Sequence, residues 1–301
     1  MSLYKEFKLK ETFVTGADRV WSVTFLDLEK LVIATNQTDL LLLPEKKSLP
    51  TPHQKSIRCL ATNSNGSLLA VASFDGLISV HLKKGDRWQC LATLEGHENE
   101  VKGVAWGDGF LASCGRDRTL WIWSLVPDEM DGSLEFECVA VLQEHSQDIK
   151  CVAWSSPSGL LVTGSYDESI VFYKDQGIYQ EDPDWSAVEK LIVGSTVWSL
   201  KFSQSSLFAC LADGRVLKIE EMQIIKEVRI SEHPLYTLAV NETYVASAGQ
   251  DRSIYILDVN ELVILQRIFL AHTSDINSLC WKGDDLVSGS DDGSVTIWTV
   301  D

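Results

Sequence analysis

Apolar and polar positions along this chain fall into short alternating runs, and the runs repeat. In EVKGVAWGDGFLASCGRDRTLWIWSL, beginning at Glu100, an apolar strand is followed by a turn, a strand of small residues, a second turn ending in Asp117, and a third strand. The same order returns in DIKCVAWSSPSGLLVTGSYDESIVFYK from Asp148 and DINSLCWKGDDLVSGSDDGSVTIWTV from Asp275, and fainter copies begin at Arg19, Ser56, Thr196 and Pro234. The turn aspartates of these seven copies, at 39, 75, 117, 167, 213, 251 and 292, are spaced by 36, 42, 50, 46, 38 and 41 residues. A fourth apolar segment lies between copies, as in WQCLATLEGH at 88, FECVAVLQEH at 136, IIKEVRISEH at 224 and VILQRIFLAH at 263. Helical periodicity of 3.6 residues does not compete with this pattern.

Four short strands in each unit of roughly 40 residues are the signature of a propeller blade. The pattern therefore predicts an all-β protein, a single seven-bladed β-propeller over residues 1–301. The last copy reaches Asp301 directly after its third strand, so its fourth strand must come from elsewhere. EFKLKETFV at 6–14 is the unassigned strand-like segment, and pairing it there closes the ring and removes two exposed sheet edges.

Charge narrows the choice of partner. The chain carries 43 acidic against 26 basic side chains, a formal charge of −17, which disfavours the phosphate contacts on which nucleic-acid binding rests. A protein partner is the better expectation, with no direct nucleic acid and no membrane. The N-terminus lacks the continuous apolar run of a secretory signal. The seven cysteines, at 59, 90, 114, 138, 151, 210 and 280, have no C-x-x-C spacing; they read as free, mostly buried thiols rather than ligands of a metal or cluster, and no cofactor is expected.

The best-formed copy places His97, Ser113, Asp117 and Trp123 where a four-stranded meander can bring them together as a buried hydrogen-bonded tetrad. The seventh offers His272, Ser288, Asp292 and Trp298; the fourth offers His145, Thr163 and Asp167 with Tyr173 in place of Trp; His233, Ser247 and Asp251 suggest a partial sixth. A Ser, His and Asp in one blade superficially resemble a nucleophilic triad. Their order suits packing, and neither a G-x-S-x-G elbow nor an H-E-x-x-H helix accompanies them, so an enzyme is not expected.

Two rings of positions remain for function. The residue before each turn aspartate, expected to face outward, is Thr38, Phe74, Arg116, Tyr166, Ala212, Gln250 and Asp291; the third residue of each first strand, near the channel mouth, is Trp21, Arg58, Lys102, Lys150, Trp198, Tyr236 and Asn277. Arg116, Phe74, Tyr166, Arg58, Lys102, Lys150, Trp21, Trp198 and Tyr236 thus form a candidate partner-binding face rich in the residue types that dominate interfaces. A basic, aromatic patch suits an acidic or carboxylate-terminated peptide, which arginine can grip with two hydrogen bonds. The competing expectation is that these cations pair with Glu98, Glu100 or Asp148. Arg118 reads as a solvated turn residue. On the opposite face the acidic loops 126–135 and 175–185 read as solvated.

Gly96-His97, the turn aspartate and the strand-ending WIW or IW resemble the WD40 repeat, and the resemblance covers the whole chain. LEGHENEVKGVAW at 94–106, ASCGRDRTLWIW at 112–123, ECVAVLQEHSQDIKCVAW at 137–154, GSYDESIVFYKD at 164–175, DW at 184 and TVWSLKF at 196 are similar to the WD40 subunits of the cytosolic iron–sulfur cluster assembly (CIA) targeting complex. That resemblance implies a non-catalytic adaptor joining a MIP18-family protein and a HEAT-repeat scaffold, contacting an iron-only-hydrogenase-like carrier, and helping deliver [4Fe–4S] clusters to apo client proteins in the cytoplasm and nucleus. It also implies that Arg116 matters for assembly. Another WD40 adaptor, such as a ubiquitin-ligase substrate receptor or a chromatin-associated scaffold, stays open at this point.

Overall fold

In the computed structural model, described here for residues 6–26, 30–127, 134–156, 158–177 and 183–300, twenty-eight strands form seven antiparallel four-stranded sheets. Six are simple meanders in chain order, beginning at Val20, Ile57, Val101, Ile149, Val197 and Leu235. The seventh joins Phe7–Val14 to Ile276–Lys282, Asp285–Ser290 and Ser294–Val300. The seven first strands line a common central channel, and the sheets are the blades of a propeller.

Burial follows position within the blade. A blade is covered on both faces by its neighbours, so its second strand loses the polar–apolar alternation of a half-exposed sheet and reads as a run of small and aliphatic residues. Leu68–Ser73 and Tyr244–Gly249 are buried at every residue. Fourth strands form the rim and alternate, as Gln223–Arg229 does. Core clusters accordingly span blade boundaries: Ala112, Leu120 and Ile122 of blade 3 pack with Ile149, Leu161 and Tyr173 of blade 4. Close approach sets residue size there, since a Cβ on Gly164 would meet Val197 Cγ1 of the next blade at 2.4 Å.

The closing strand pairs from Phe7 opposite Val300 to Val14 opposite Ser294. Phe7, 3% exposed, packs edge-on against Tyr244 at 5.3 Å and lies 5.5 Å from Trp281. Gln266 of blade 6 grips the same residue, accepting from Phe7 N–H at 2.8 Å and donating to its carbonyl at 2.9 Å. The strand therefore completes blade 7 and ties it to blade 6.

All seven cysteines are free, but two are exposed. Cys90 and Cys138 lie on the rim strands Arg87–Leu94 and Leu134–Leu142, where alternate side chains face solvent. The acidic loops expected at 126–135 and 175–185 fall in large part, at 128–133 and 178–182, outside the described residues.

Candidate functional site

One turn recurs at the end of the molecule that carries the tetrads. In blades 2 to 7 the aspartate at the second-to-third turn accepts from the backbone N–H two residues on, at Leu77, Thr119, Ser169, Arg215, Ser253 and Ser294, at 2.9–3.2 Å. The intervening residue is left-handed in all six, with φ between 62° and 91°. In three blades it is Gly, and in the others Arg118, Glu168 and Arg252. Aspartate suits this geometry because its carboxylate caps a local turn, so it persists in blades that lack the histidine.

The histidines add to that turn. His97 Nδ1 meets Asp117 at 2.7 Å and Nε2 meets Ser113 at 2.9 Å, while the Trp123 indole N–H donates to Ser113 at 3.0 Å. His272 meets Asp292 at 3.1 Å and Ser288 at 2.7 Å, with Trp298 donating to Ser288 at 2.9 Å. His145 lies 3.0 Å from Asp167 and 2.8 Å from Thr163, and Tyr173 reaches Thr163 at 3.5 Å. Burial alone would raise the Asp167 carboxyl, but hydrogen bonds from Ser169, the Ser146 backbone and His145 overcome it and hold the pKa at about 2. Asp292 is depressed in the same way by His272 and Ser294.

Three departures escape the repeat pattern. In blade 2 the hydroxyl moves to the third strand: Ser79, opposite Val71, lies 2.9 Å from His53 and 3.0 Å from His81, which fills the Trp place. Burial and nearby His53 pull the His81 pKa down to about 4, so that imidazole is neutral. In blade 5 Arg215 Nε donates to Asp213 at 2.7 Å in place of a histidine. The expected sixth tetrad does not form: His233 is exposed, and Asp251 instead accepts from Tyr255 at 2.6 Å and Arg267 at 3.1 Å. The phenol reaches the carboxylate from the third strand and takes the imidazole's place. A hydroxyl two residues after the aspartate, in Thr119, Ser169 and Ser294, bonds it in three blades and was readable in the repeats.

Around the channel mouth, all seven residues of the first-strand ring sit at β-bulges. The register slips between Val20 and Ser22, Ile57 and Cys59, Val101 and Gly103, Ile149 and Cys151, Val197 and Ser199, Leu235 and Thr237, and Ile276 and Ser278. Trp21, Arg58, Lys102, Lys150, Trp198, Tyr236 and Asn277 are thus the second residues of their strands, one place earlier than expected. Bulges re-aim side chains, and these side chains meet in an arc. Arg19 and Arg58 lie over the Trp21 ring at 4.5 and 5.1 Å, and Phe74 meets Trp21 edge-on at 5.7 Å. Lys150 lies over Tyr166 at 4.5 Å and Trp198 at 4.1 Å; Trp198 continues to Tyr236 at 4.8 Å. Phe74 and Tyr166 therefore fold in toward the mouth rather than facing outward, whereas Arg116 is exposed.

Part of the basic ring is paired internally. Lys102 bonds Asp148, Arg19 meets Asp291 at 2.8 Å, and Arg116 meets Glu100 at 3.1 Å with the arginine side chain 58% exposed. Burial, with Arg58 and Lys102 close by, pulls the Lys150 pKa down to about 7.

Meander blades, a ring zipped by one strand and a His–Asp–hydroxyl network at each well-formed turn define a seven-bladed WD40 propeller. The family described as "WD domain, G-beta repeat" matches residues 45–81, 88–124, 136–174 and 264–299, which carry the four blades whose histidine meets the turn aspartate. A protein named "Probable cytosolic iron-sulfur protein assembly protein 1" from Vanderwaltozyma polyspora is 33% identical over 82% of this chain and 81% of its own length. The protein of that name from Scheffersomyces stipitis is 29% identical over 94% and 96%. A "Probable cytosolic Fe-S cluster assembly factor" from Schizosaccharomyces japonicus is 34% identical over 82% of this chain, which spans 45% of that relative's length. The chain belongs to the WD40-repeat family whose members carry the name cytosolic iron-sulfur protein assembly protein 1.

Proposed function

We propose that this protein is a non-catalytic adaptor of cytosolic iron–sulfur protein assembly, acting in the cytoplasm and the nucleus. What supports the reading is the 33% identity to a relative named for that process over 81% of the relative's length. Its partners are a MIP18-family protein, a HEAT-repeat scaffold, an iron-only-hydrogenase-like carrier and apo clients that receive [4Fe–4S] clusters.

The docking face is the end that bears the tetrads, with Arg116 as its anchor. The fold does not need a guanidinium there: Arg116 sits before a turn closed by Asp117, and its ion pair with Glu100 is solvent-exposed. Such a pair contributes about 1 kcal/mol at most, so a partner carboxylate gripped by two hydrogen bonds can displace Glu100. Around this anchor, Phe74 and Tyr166 supply aromatic area at the mouth.

Co-purification with the MIP18-family protein, comparing wild type with Arg116→Glu, tests the reading. Wild-type binding lost on substitution, with unchanged melting, is the expected result, since a central interface arginine typically contributes about 2 kcal/mol or more. Binding retained by the variant moves the docking site elsewhere on the ring, and no binding by wild type removes the assembly reading.

A further inference from the structure

The channel enclosed by the first strands has a volume of about 440 Å3. Its wall carries Arg58, Lys102, Lys150 and Lys201 and, among the described residues, no carboxylate. In a chain of formal charge −17 this is a segregation of charge that folding alone does not favour. Lys150 is 8% exposed. Its ammonium lies against two aromatic faces and 3.1 Å from the Tyr166 hydroxyl, and Asp148, the acid that acts on it, is engaged by Lys102. Arg58 is stacked on Trp21 and, among the described residues, forms no ion pair. Among the described residues, the indole N–H groups of Trp21 and Trp198 also have no acceptor. Buried cations and surplus donors at one mouth are costly unless an anion joins them.

We propose that the channel mouth binds a small, doubly charged oxyanion of the phosphate class, held between Arg58, Lys102 and Lys150 with the Tyr166 hydroxyl. With Lys102 offset by Asp148, Arg58 and Lys150 supply a surplus of two once a bound anion holds Lys150 protonated against the pull of its burial, and a phosphate dianion neutralises that surplus where a lone carboxylate does not. The donors arrive from blades 2, 3 and 4, from different directions, as a tetrahedral anion requires. This site shares Tyr166 with the docking face but needs no protein partner, so it is tested without one.

Calorimetric titration of the full chain with inorganic phosphate and with glycerol phosphate, at low and chloride-matched ionic strength, tests it; acetate is the comparison. One site is expected, whichever phosphate source fills it better. Arg58→Gln and Lys150→Met should each weaken it by about tenfold or more, given the strength of charge-assisted hydrogen bonds. Wild-type melting should rise with phosphate, a readout independent of the variants. The proposal is overturned if millimolar phosphate gives neither heat nor a melting shift, if acetate binds as tightly as phosphate, or if both folded variants bind like wild type.

Discussion

Lys150 is where the chain stands furthest from what stability alone would select. Its ammonium is buried against Tyr166 and Trp198, with Arg58 and Lys102 nearby and Asp148 as the acid that acts on it, and its pKa falls to about 7. Because the folded value lies below the unfolded value of about 10.4, the unfolded chain binds more protons between the two. Stability due to this group therefore rises with pH through that window. Lys150→Met removes the buried charge and should stabilise the fold at neutral pH by roughly 1–3 kcal/mol, with the advantage shrinking toward pH of about 10. Urea midpoints of both proteins across this range check it; parallel pH dependences would show that Lys150 stays charged. The residue type was legible in the sequence as part of a basic ring. Its isolation was not, because pairing of Lys102 with Asp148 depends on which neighbour reaches the acid first in space.

At the scale of the element, the closing strand makes a sharp contrast between neighbours. Phe7→Ala removes a ring that is 3% exposed and packs on Tyr244 and Trp281, and should destabilise by about 3–5 kcal/mol. Leu9→Ala, at a position 61% exposed, should lie within about 0.5 kcal/mol of wild type. Guanidinium melts of the two variants decide it, and equal losses would mean that the strand contributes through its backbone alone. The strand pairing was readable because blade 7 lacked a fourth strand, and the periodic apolar runs carried the blade count. The bulges did leave a mark that the reading of the repeats passed over: first strands carry their buried aliphatics three residues apart, as at Ile57 and Leu60 or Val101 and Val104, where an unbulged strand spaces them by two. The substitutions at blades 2, 5 and 6 were not readable: Ser79 with His81 completes the network of His53 from the third strand, whereas Arg215, and Tyr255 with Arg267, bond the turn acid directly in place of a histidine, and a pattern search keyed to one histidine place passes over them.

For the molecule as a whole, the repeated turn sets the response to acid. Asp75, Asp117, Asp167 and Asp292 all have carboxyls held below the ordinary range, against the upward pull of burial, by hydrogen bonds that include the paired histidine. A depressed carboxyl contributes stability above its unfolded pKa of about 3.9 that is lost as pH falls toward the folded value, here about 2 for Asp167. His53 and His145, both lowered by burial, act in the same direction because the unfolded chain protonates them first. The guanidinium midpoint should thus drop steeply between pH of about 5 and 3, and a flat profile would show that the four networks do not share the load. The ring also has a temporal consequence. Phe7 must find Val300, the greatest sequence separation among the strand pairings, and loop closure over such a span is slow. During synthesis the N-terminal strand of the propeller emerges before the other strands yet is the last to be seated, so six blades stand with an open edge until the seventh arrives, and a nascent propeller is exposed to strand capture by other chains for nearly the whole time the ribosome takes to make these blades.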